Sequence, residues 1–568
     1  MDARSAYLDR PWLKFYEPGV PADVAPPQGT LGDLFDQATE RFATRPALVF
    51  YGREISYRQL REDVNRLADS LSRLGLKHGD RVALFLLNSP QFVIAYFALQ
   101  KLGCTVTPIS PVYTSHEVRY QLTDSGARAV ICQDILYDKI ARSDVALDHL
   151  IVTSISEYLP TLQKVLAKTP LARLFGEAAP AAAIPREAKV LRFQDLIAKG
   201  SPNFSNAQFD PATTLAALPY TGGTTGHPKG VMLTHSNLIA ARAAGEAVFT
   251  GLEPGREVAI AFLPFFHIYG QVTIMLGSVC VGSTLLLFTT PHTEAIIEAA
   301  QKYHATAFYG VPTLYEYLKD HKDTAKLDWR QFKLILSGAD TLHESTARGW
   351  AKRTGASITE GYGLTECAAS SHVNPRNRPK AGSFGLPVPS SLAAVIDPDT
   401  GVFVTPGETG ELIISSPSVM QGYWNKPEES AKVFLQIDGR KWLRTGDLVR
   451  MDDEGYFHFY DRSKDLIKFK GYSVFAKDIE QVLYEHERVK AAGVIGVPDP
   501  EVGQRIKAIV VLHPEARGKV SEEEIIAYCR ERLADYKVPQ LVEFRGELPK
   551  TDVGKVSRRE LREEHEAS

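Results

Sequence analysis

The densest run of chemistry-bearing residues is Tyr220-Thr-Gly-Gly-Thr-Thr-Gly-His-Pro-Lys-Gly230. Gly222, Gly223 and Gly226 let a backbone approach a ligand closely. Thr221, Thr224 and Thr225 add hydroxyl groups, and Lys229 adds a positive charge. The combination reads as a phosphate cradle, although a Gly/Thr turn in isolation also reads as a plain surface loop. It is not the loop of ordinary nucleoside triphosphatases, which needs Gly-Lys-Ser/Thr where this chain has Pro228-Lys229-Gly230. The five cysteines are scattered, with neither Cys-x-x-Cys nor His-Glu-x-x-His to hold a metal, and fit free thiols in a reducing compartment.

Four later motifs keep the loop company: Gly361-Tyr-Gly-Leu-Thr-Glu-Cys367; Arg444-Thr-Gly-Asp-Leu448; Asp461-Arg-Ser-Lys-Asp-Leu-Ile-Lys468 with Gly471-Tyr472; and Pro549-Lys-Thr-Asp-Val-Gly-Lys555. In order and spacing the set resembles the core motifs of adenylate-forming acyl-CoA synthetases, and the likeness covers nearly the whole chain. The resemblance implies three small-molecule substrates, a fatty acid, ATP and coenzyme A, with Mg²⁺ as cofactor. Residues 221–229 would hold the β- and γ-phosphates. Tyr362 would stack on adenine opposite a backbone wall of Gly338 and Ala339, with Glu360, Gly361 and Gly363 around it. Thr365 would meet the α-phosphate, and Glu366, with Thr221, would hold the hard Mg²⁺ ion. Asp447, assisted by Arg462, would bind the ribose hydroxyls, and Lys468 would complete the nucleotide site.

Lys555 is the residue on which adenylation would lean most, because a mobile ammonium that touches both carboxylate and α-phosphate favours the developing charge. The resemblance further implies that the C-terminal domain turns about Lys464, bringing Lys470, Gly471 and Tyr472 toward the pantetheine path. The acyl pocket would begin at His267 and continue past Tyr269, Gly270, Gly310 and Val311. Peptide-synthetase relatives carry an aspartate near this point to pair with an α-amine; Phe266-His267-Ile268-Tyr269 offers none, which argues against an α-amino acid. Residues 10–18 and the insert after Val152-Thr-Ser are similar to bacterial long-chain fatty acid ligases and favour a fatty over an aryl acid. Departures from the family pattern are Gly222 where many relatives have serine, and Ala476 and Asp478 where proline and glutamate are usual; the latter two bear on the CoA surface.

The elements that must position these residues follow from periodicity. At 568 residues the chain exceeds a single core. Residues 31–42 read as a helix. Ser56-Tyr-Arg-Gln59 reads as a capping box opening a second helix closed by Gly75, and Ser89-Pro90 as the start of another. Strand-like runs fall at 81–86, 104–109, 129–132, 150–153, 215–218, 258–263, 285–288, 305–309 and 334–336. Their alternation with helices predicts parallel, doubly wound α/β sheets. The uncharged span 268–288 is long enough to cross a bilayer, but reads better as a buried helix to Gly282 followed by a strand.

After Ala393 the rhythm changes to short strands at 393–396, 410–415, 442–444 and 455–460, a small β-rich subdomain. The expected organisation is an N-terminal domain over 1–460, its β-rich part at about 385–460, a hinge at 461–465, and a mobile α+β C-terminal domain over 466–568 with a second capping box at Ser521–Glu524. A departure at 159–176, with Lys164, Lys168 and Arg173 among leucines, reads as a solvated loop and leaves a peripheral membrane contact open. A net charge of −3 offers no global field for nucleic acid, and the N-terminus lacks the apolar core of a secretory signal, so a cytoplasmic protein is expected. The function this predicts is an ATP-dependent ligase for medium- to long-chain fatty acids. An aryl-acid ligase, an acyl-AMP ligase feeding a separate carrier protein, and a non-catalytic binding protein remain as rivals; a homodimer is left open.

Overall fold

The computed structural model describes residues 3–160, 190–221, 228–462, 466–470, 472–550 and 556–566. The chain divides into two compact units, a larger one of Trp12–Leu392 with Ile414–Leu443 and a smaller one of Met1–Pro11, Ala393–Ile413 and Arg444–Ser568.

The larger unit is built on two sheets. In the first, Thr359–Leu364, Leu334–Ser337, Ala307–Gly310, Val258–Ala261, Thr284–Leu287 and Pro46–Phe50 are successive parallel neighbours. Antiparallel strands, Ala369–Val373 on one side and Arg53–Ser56 on the other, flank them. In the second, Leu215–Ala217, Thr105–Pro108, Arg81–Phe85, Ala129–Gln133, His149–Thr153 and Val190–Arg192 are parallel in that order. Thr284–Leu287 and Ala129–Gln133 are buried along their whole length, as expected of strands covered on both faces. Each strand-like run in this half of the sequence is thus a strand, within one or two residues at its ends.

Helix caps differ in detail from the expectation. Ser56 accepts from the Gln59 N–H and opens Tyr57–Arg73, and Ser521 accepts from the Glu524 N–H in the same way, so each site shows the forward half of a capping box. Reciprocal boxes occur instead at Thr30–Asp33, Thr114–Glu117 and Thr234–Asn237, two of them with an N3 residue shorter than glutamate. The uncharged span after His267 is a π-helix, Tyr269–Leu276, with a short α-turn, Gly277–Val279, before the strand Thr284–Leu287. Among the described residues no helix is long and apolar enough to cross a membrane.

In the smaller unit the second part of Arg440–Met451 pairs antiparallel with Phe457–Arg462. The first of these strands is far longer than the 442–444 expected, because its backbone pairing runs through the polar Thr445-Gly446-Asp447, which interrupts the apolar pattern. A five-stranded sheet follows: Tyr472–Phe475, Leu466–Phe469, Gly503–Leu512 and Val489–Asp499 in antiparallel order, with Leu541–Phe544 parallel to Gly503–Leu512. Ile479, Leu483 and Ile525 from its helices pack with Val474, Val494 and Ile506 in one core. The architecture is mixed α/β, with a large sheet domain and a small C-terminal one. The departure at 159–176 falls mostly within 161–189, outside the described residues.

Candidate active site

Four parallel strands of the first sheet end at one edge, and most of the motif residues of the larger unit lie just beyond those ends. Val258–Ala261 leads to His267 and Tyr269, Ala307–Gly310 to Val311, Leu334–Ser337 to Gly338 and Ala339, and Thr359–Leu364 carries Glu360 to Gly363 directly into Thr365 and Glu366. The carboxyl ends of parallel strands are where α/β sheets bind ligands, since loops there are free of the sheet's packing.

Local sequence explains the close fit. The Gly338 N–H donates to the Gly310 carbonyl at 3.2 Å, and a side chain at Gly338 would meet the Tyr269 ring at 3.3 Å. A Cβ at Gly270 would lie 2.2 Å from the Pro264 carbonyl oxygen, so glycine is required for the π-helix to start against that backbone. A Cβ at Gly363 would lie 1.6 Å from the Ala369 carbonyl oxygen, which only glycine avoids. Tyr362 packs in a cluster of three rings with His372, its partner across the strands, and Phe384, whose ring centroid is 4.5 Å away. Glu360 accepts from the Leu342 N–H at 3.1 Å and pins the loop that carries Gly338 and Ala339; Ala339 itself sits at φ +71°.

The stem of the Gly/Thr-rich loop at 220–230 is a short antiparallel pair, Thr221 opposite Lys229 and Tyr220 opposite Gly230. The Tyr220 hydroxyl donates to Asp124 at 2.6 Å and the Tyr120 hydroxyl to the Pro228 carbonyl at 2.9 Å, which ties both strands of the hairpin to one helix, Ser115–Ser125. Its tip, Gly222 to Gly226, lies outside the described residues, as do Lys464, Gly471 and Lys555. Lys229 Nζ is 2.6 Å from Glu429 Oε2 and 5.0 Å from the centre of the Tyr423 ring. The Lys229 ammonium, with Lys432 as second donor, holds the Glu429 carboxyl down at about 2. The Tyr423 hydroxyl donates to Glu366 Oε1 at 2.9 Å. Neither Tyr423 nor Glu429 belongs to the motifs read from the sequence; their proximity to Trp424-Asn-Lys-Pro, an unremarkable polar turn, gave no chemical signal.

A carboxylate with one oxygen fixed by a neutral donor suits Mg²⁺, which takes few protein ligands and fills its shell with phosphate oxygens and water. Glu366 meets that description, and Thr221 on the hairpin stem adds a hydroxyl. His267 Nδ1 accepts from the Tyr269 N–H at 3.3 Å.

Residues of the smaller unit are ordered by their own contacts. Asp447 is buried, its Cα pairs with that of Arg462, and its N–H donates to the Thr445 hydroxyl at 3.1 Å. Glu411 holds this turn, accepting from Arg444 Nε at 2.9 Å and from the Gly446 N–H at 3.0 Å. Lys468 lies on Leu466–Phe469, and Phe469 pairs with Tyr472 across a tight turn in which Lys470 has φ +50°. Asp461 accepts from the Lys477 N–H at 3.0 Å and from Arg558 Nη1 at 2.9 Å, and Arg558 also grips Glu480.

Comparison with known proteins agrees with this geometry. The model of AMP-binding enzymes matches residues 35–424, and that of the AMP-binding enzyme C-terminal domain matches 478–555. The chain is 38% identical over 561 residues to a long-chain-fatty-acid–CoA ligase of Bacillus subtilis, and 36% identical over 565 residues to one of Escherichia coli O157:H7, with 98% of each chain covered in both cases. Among solved structures it is similar to ATP-bound MatB from Rhodopseudomonas palustris, with a TM-score of 0.79, 28% identity, and 94% of this chain and 99% of that one covered. Motifs, strand-end geometry and full-length similarity converge, and the chain belongs to the family of AMP-binding enzymes.

Proposed function

We propose that the protein is an ATP-dependent long-chain fatty acyl-CoA ligase working through an acyl-adenylate. The observation that carries the reading is the single sheet edge at which Tyr362, on the last of four parallel strands, meets His267, Gly338, Thr365 and Glu366, which follow the strand ends. In the first step a carboxylate oxygen attacks the α-phosphorus of ATP, the bond to the bridging oxygen breaks, and diphosphate leaves. In the second the CoA thiolate attacks the acyl carbon and AMP leaves. A carboxylate needs this activation because it is a poor electrophile.

Thr221 to Lys229 cradle the β- and γ-phosphates, Tyr362 and the Gly338–Ala339 wall take adenine, and Asp447 with Arg462 takes the ribose. Thr365 meets the α-phosphate, and Lys555 supplies the ammonium that stabilises charge in the first step. Mg²⁺ on Glu366, with Thr221, would neutralise phosphate charge. His267 and Tyr269 line the start of the acyl path, with Gly310 and Val311 beside them. The domain beyond 461–465 turns about Lys464 between steps and presents Lys470-Gly471-Tyr472 to the pantetheine. All five cysteines are free thiols, in keeping with a cytoplasmic location. Any membrane contact would use the basic, leucine-rich 159–176, and flotation with anionic vesicles measures it.

The test is acid-dependent exchange of labelled diphosphate into ATP without CoA, with acids from acetate to palmitate and with benzoate. Each buried methylene adds about 0.8 kcal/mol of transfer free energy, so exchange at limiting acid should climb with chain length until the pocket is full. A flat response, or an aromatic acid as best substrate, contradicts the assignment.

A further inference from the structure

One short segment, Met420 to Trp424, ties the phosphate hairpin to the carboxylate assigned to the metal. On the hairpin side, the Trp424 N–H donates to the Gly230 carbonyl at 2.8 Å, the Met232 N–H donates to the Gly422 carbonyl at 3.0 Å, and Val231 bridges Tyr423. On the other side, the Met420 N–H donates to the Glu366 carbonyl at 2.8 Å, and the Tyr423 hydroxyl donates to Glu366 Oε1. Tyr423 is itself locked: its N–H donates to the Ser430 hydroxyl at 2.8 Å, and its side chain is almost wholly buried. Its ring faces Lys229 Nζ, so one side chain touches both the loop cation and the glutamate.

We infer that Tyr423 is a positioning residue that orients the Glu366 carboxylate for the divalent cation. The inference rests on the reading that Glu366 holds Mg²⁺. A ligating carboxylate usually has one oxygen fixed by a donor that never touches the metal, and loss of such a donor costs about ten- to a hundredfold in metal affinity. Tyr423 has the required chemistry. An ionised carboxylate can only accept, so the phenol hydroxyl 2.9 Å from it is the donor. Glu366 accepts the bond on Oε1, and among the described residues no hydrogen bond engages Oε2. The partners are 57 positions apart in sequence, which explains why no local motif announces the pair.

The test is titration of the protein–ATP complex with Mn²⁺, following the electron paramagnetic resonance signal of the free ion, for wild type, Tyr423→Phe, Glu366→Gln and the double variant. Phenylalanine keeps the ring beneath Lys229 and removes only the hydroxyl. Tyr423→Phe should weaken Mn²⁺ binding about tenfold and raise the Mg²⁺ concentration for half-maximal activity in parallel, with kcat recovered at saturating Mg²⁺. In the Glu366→Gln background the same change should have no further effect, which separates positioning from general loss of structure even if the variant melts earlier. Unchanged Mn²⁺ affinity in Tyr423→Phe, or an equal loss in both backgrounds, overturns the inference. Unchanged affinity in Glu366→Gln instead removes Glu366 as the metal ligand, a failure of the underlying reading.

Discussion

Lys229 and Glu429, 200 residues apart in sequence, meet as an ion pair of 2.6 Å at the stem of the hairpin that carries the Gly/Thr-rich loop. The pair is partly exposed, so its worth to stability is small. If Lys229 is the cation that meets the triphosphate, as proposed, Glu429 already matches its charge and would repel phosphate there.

Glu429→Gln should therefore lower the KM for ATP two- to fivefold at low salt, and the difference should shrink at high ionic strength as screening removes it. Initial rates against ATP at two salt concentrations measure this. A raised KM would mean that Glu429 presents Lys229 to the nucleotide rather than withholding it.

His235 gives a pH prediction. It is fully buried in the larger unit, its Nδ1 accepts from the Leu31 N–H at 3.2 Å, and burial pushes its pKa from 6.5 down to about 3. Below pH 6.5 the unfolded chain binds a proton that the folded chain refuses, so the contribution to stability is full above 6.5 and falls as pH drops toward 3. Between pH 7.5 and 5.5 this one group should cost about 1.4 kcal/mol. Denaturant midpoints at the two pH values, for wild type and His235→Gln, test it. The variant should lose about one proton's worth of the slope, and an unchanged slope would assign the pH dependence to other groups.

Much of this was legible beforehand. The parallel strands were readable because both their faces are buried, which leaves uninterrupted apolar runs such as Ala129–Gln133. The Gly361-Tyr-Gly motif was readable because Gly363 must let the Ala369 carbonyl approach. What escaped was whatever joins distant positions: Tyr423 to Glu366, Glu429 to Lys229, Glu411 to Arg444, and Arg558 to Asp461. Polar residues at such positions look like solvated surface until the fold brings their partners together. The π-helix at Tyr269–Leu276 was also hidden, since an all-apolar run has no periodicity to distinguish it from an α-helix.

The two-conformation account makes a paired prediction for the C-terminal domain. Lys464→Pro fixes φ at the proposed pivot, so adenylation should survive while thioester formation is crippled. Lys555→Ala should do the reverse, with exchange falling on the order of a hundred- to a thousandfold and thioester formation from synthetic acyl-adenylate near the wild-type rate. Half-reactions measured separately decide the matter. Equal losses in both steps for either variant remove that residue from the role assigned to it.

The central claim, that the carboxylate is activated as an acyl-adenylate, is tested most directly by oxygen transfer. Palmitate carrying ¹⁸O in its carboxyl group is supplied with ATP, Mg²⁺ and CoA, and the products are analysed by mass spectrometry. If the carboxylate attacks the α-phosphorus, one labelled oxygen stays on that phosphate when the thiolate displaces AMP. The account predicts AMP carrying one ¹⁸O and palmitoyl-CoA retaining the other, in equal amounts with unlabelled diphosphate. Unlabelled AMP, or label in diphosphate or inorganic phosphate, would contradict it.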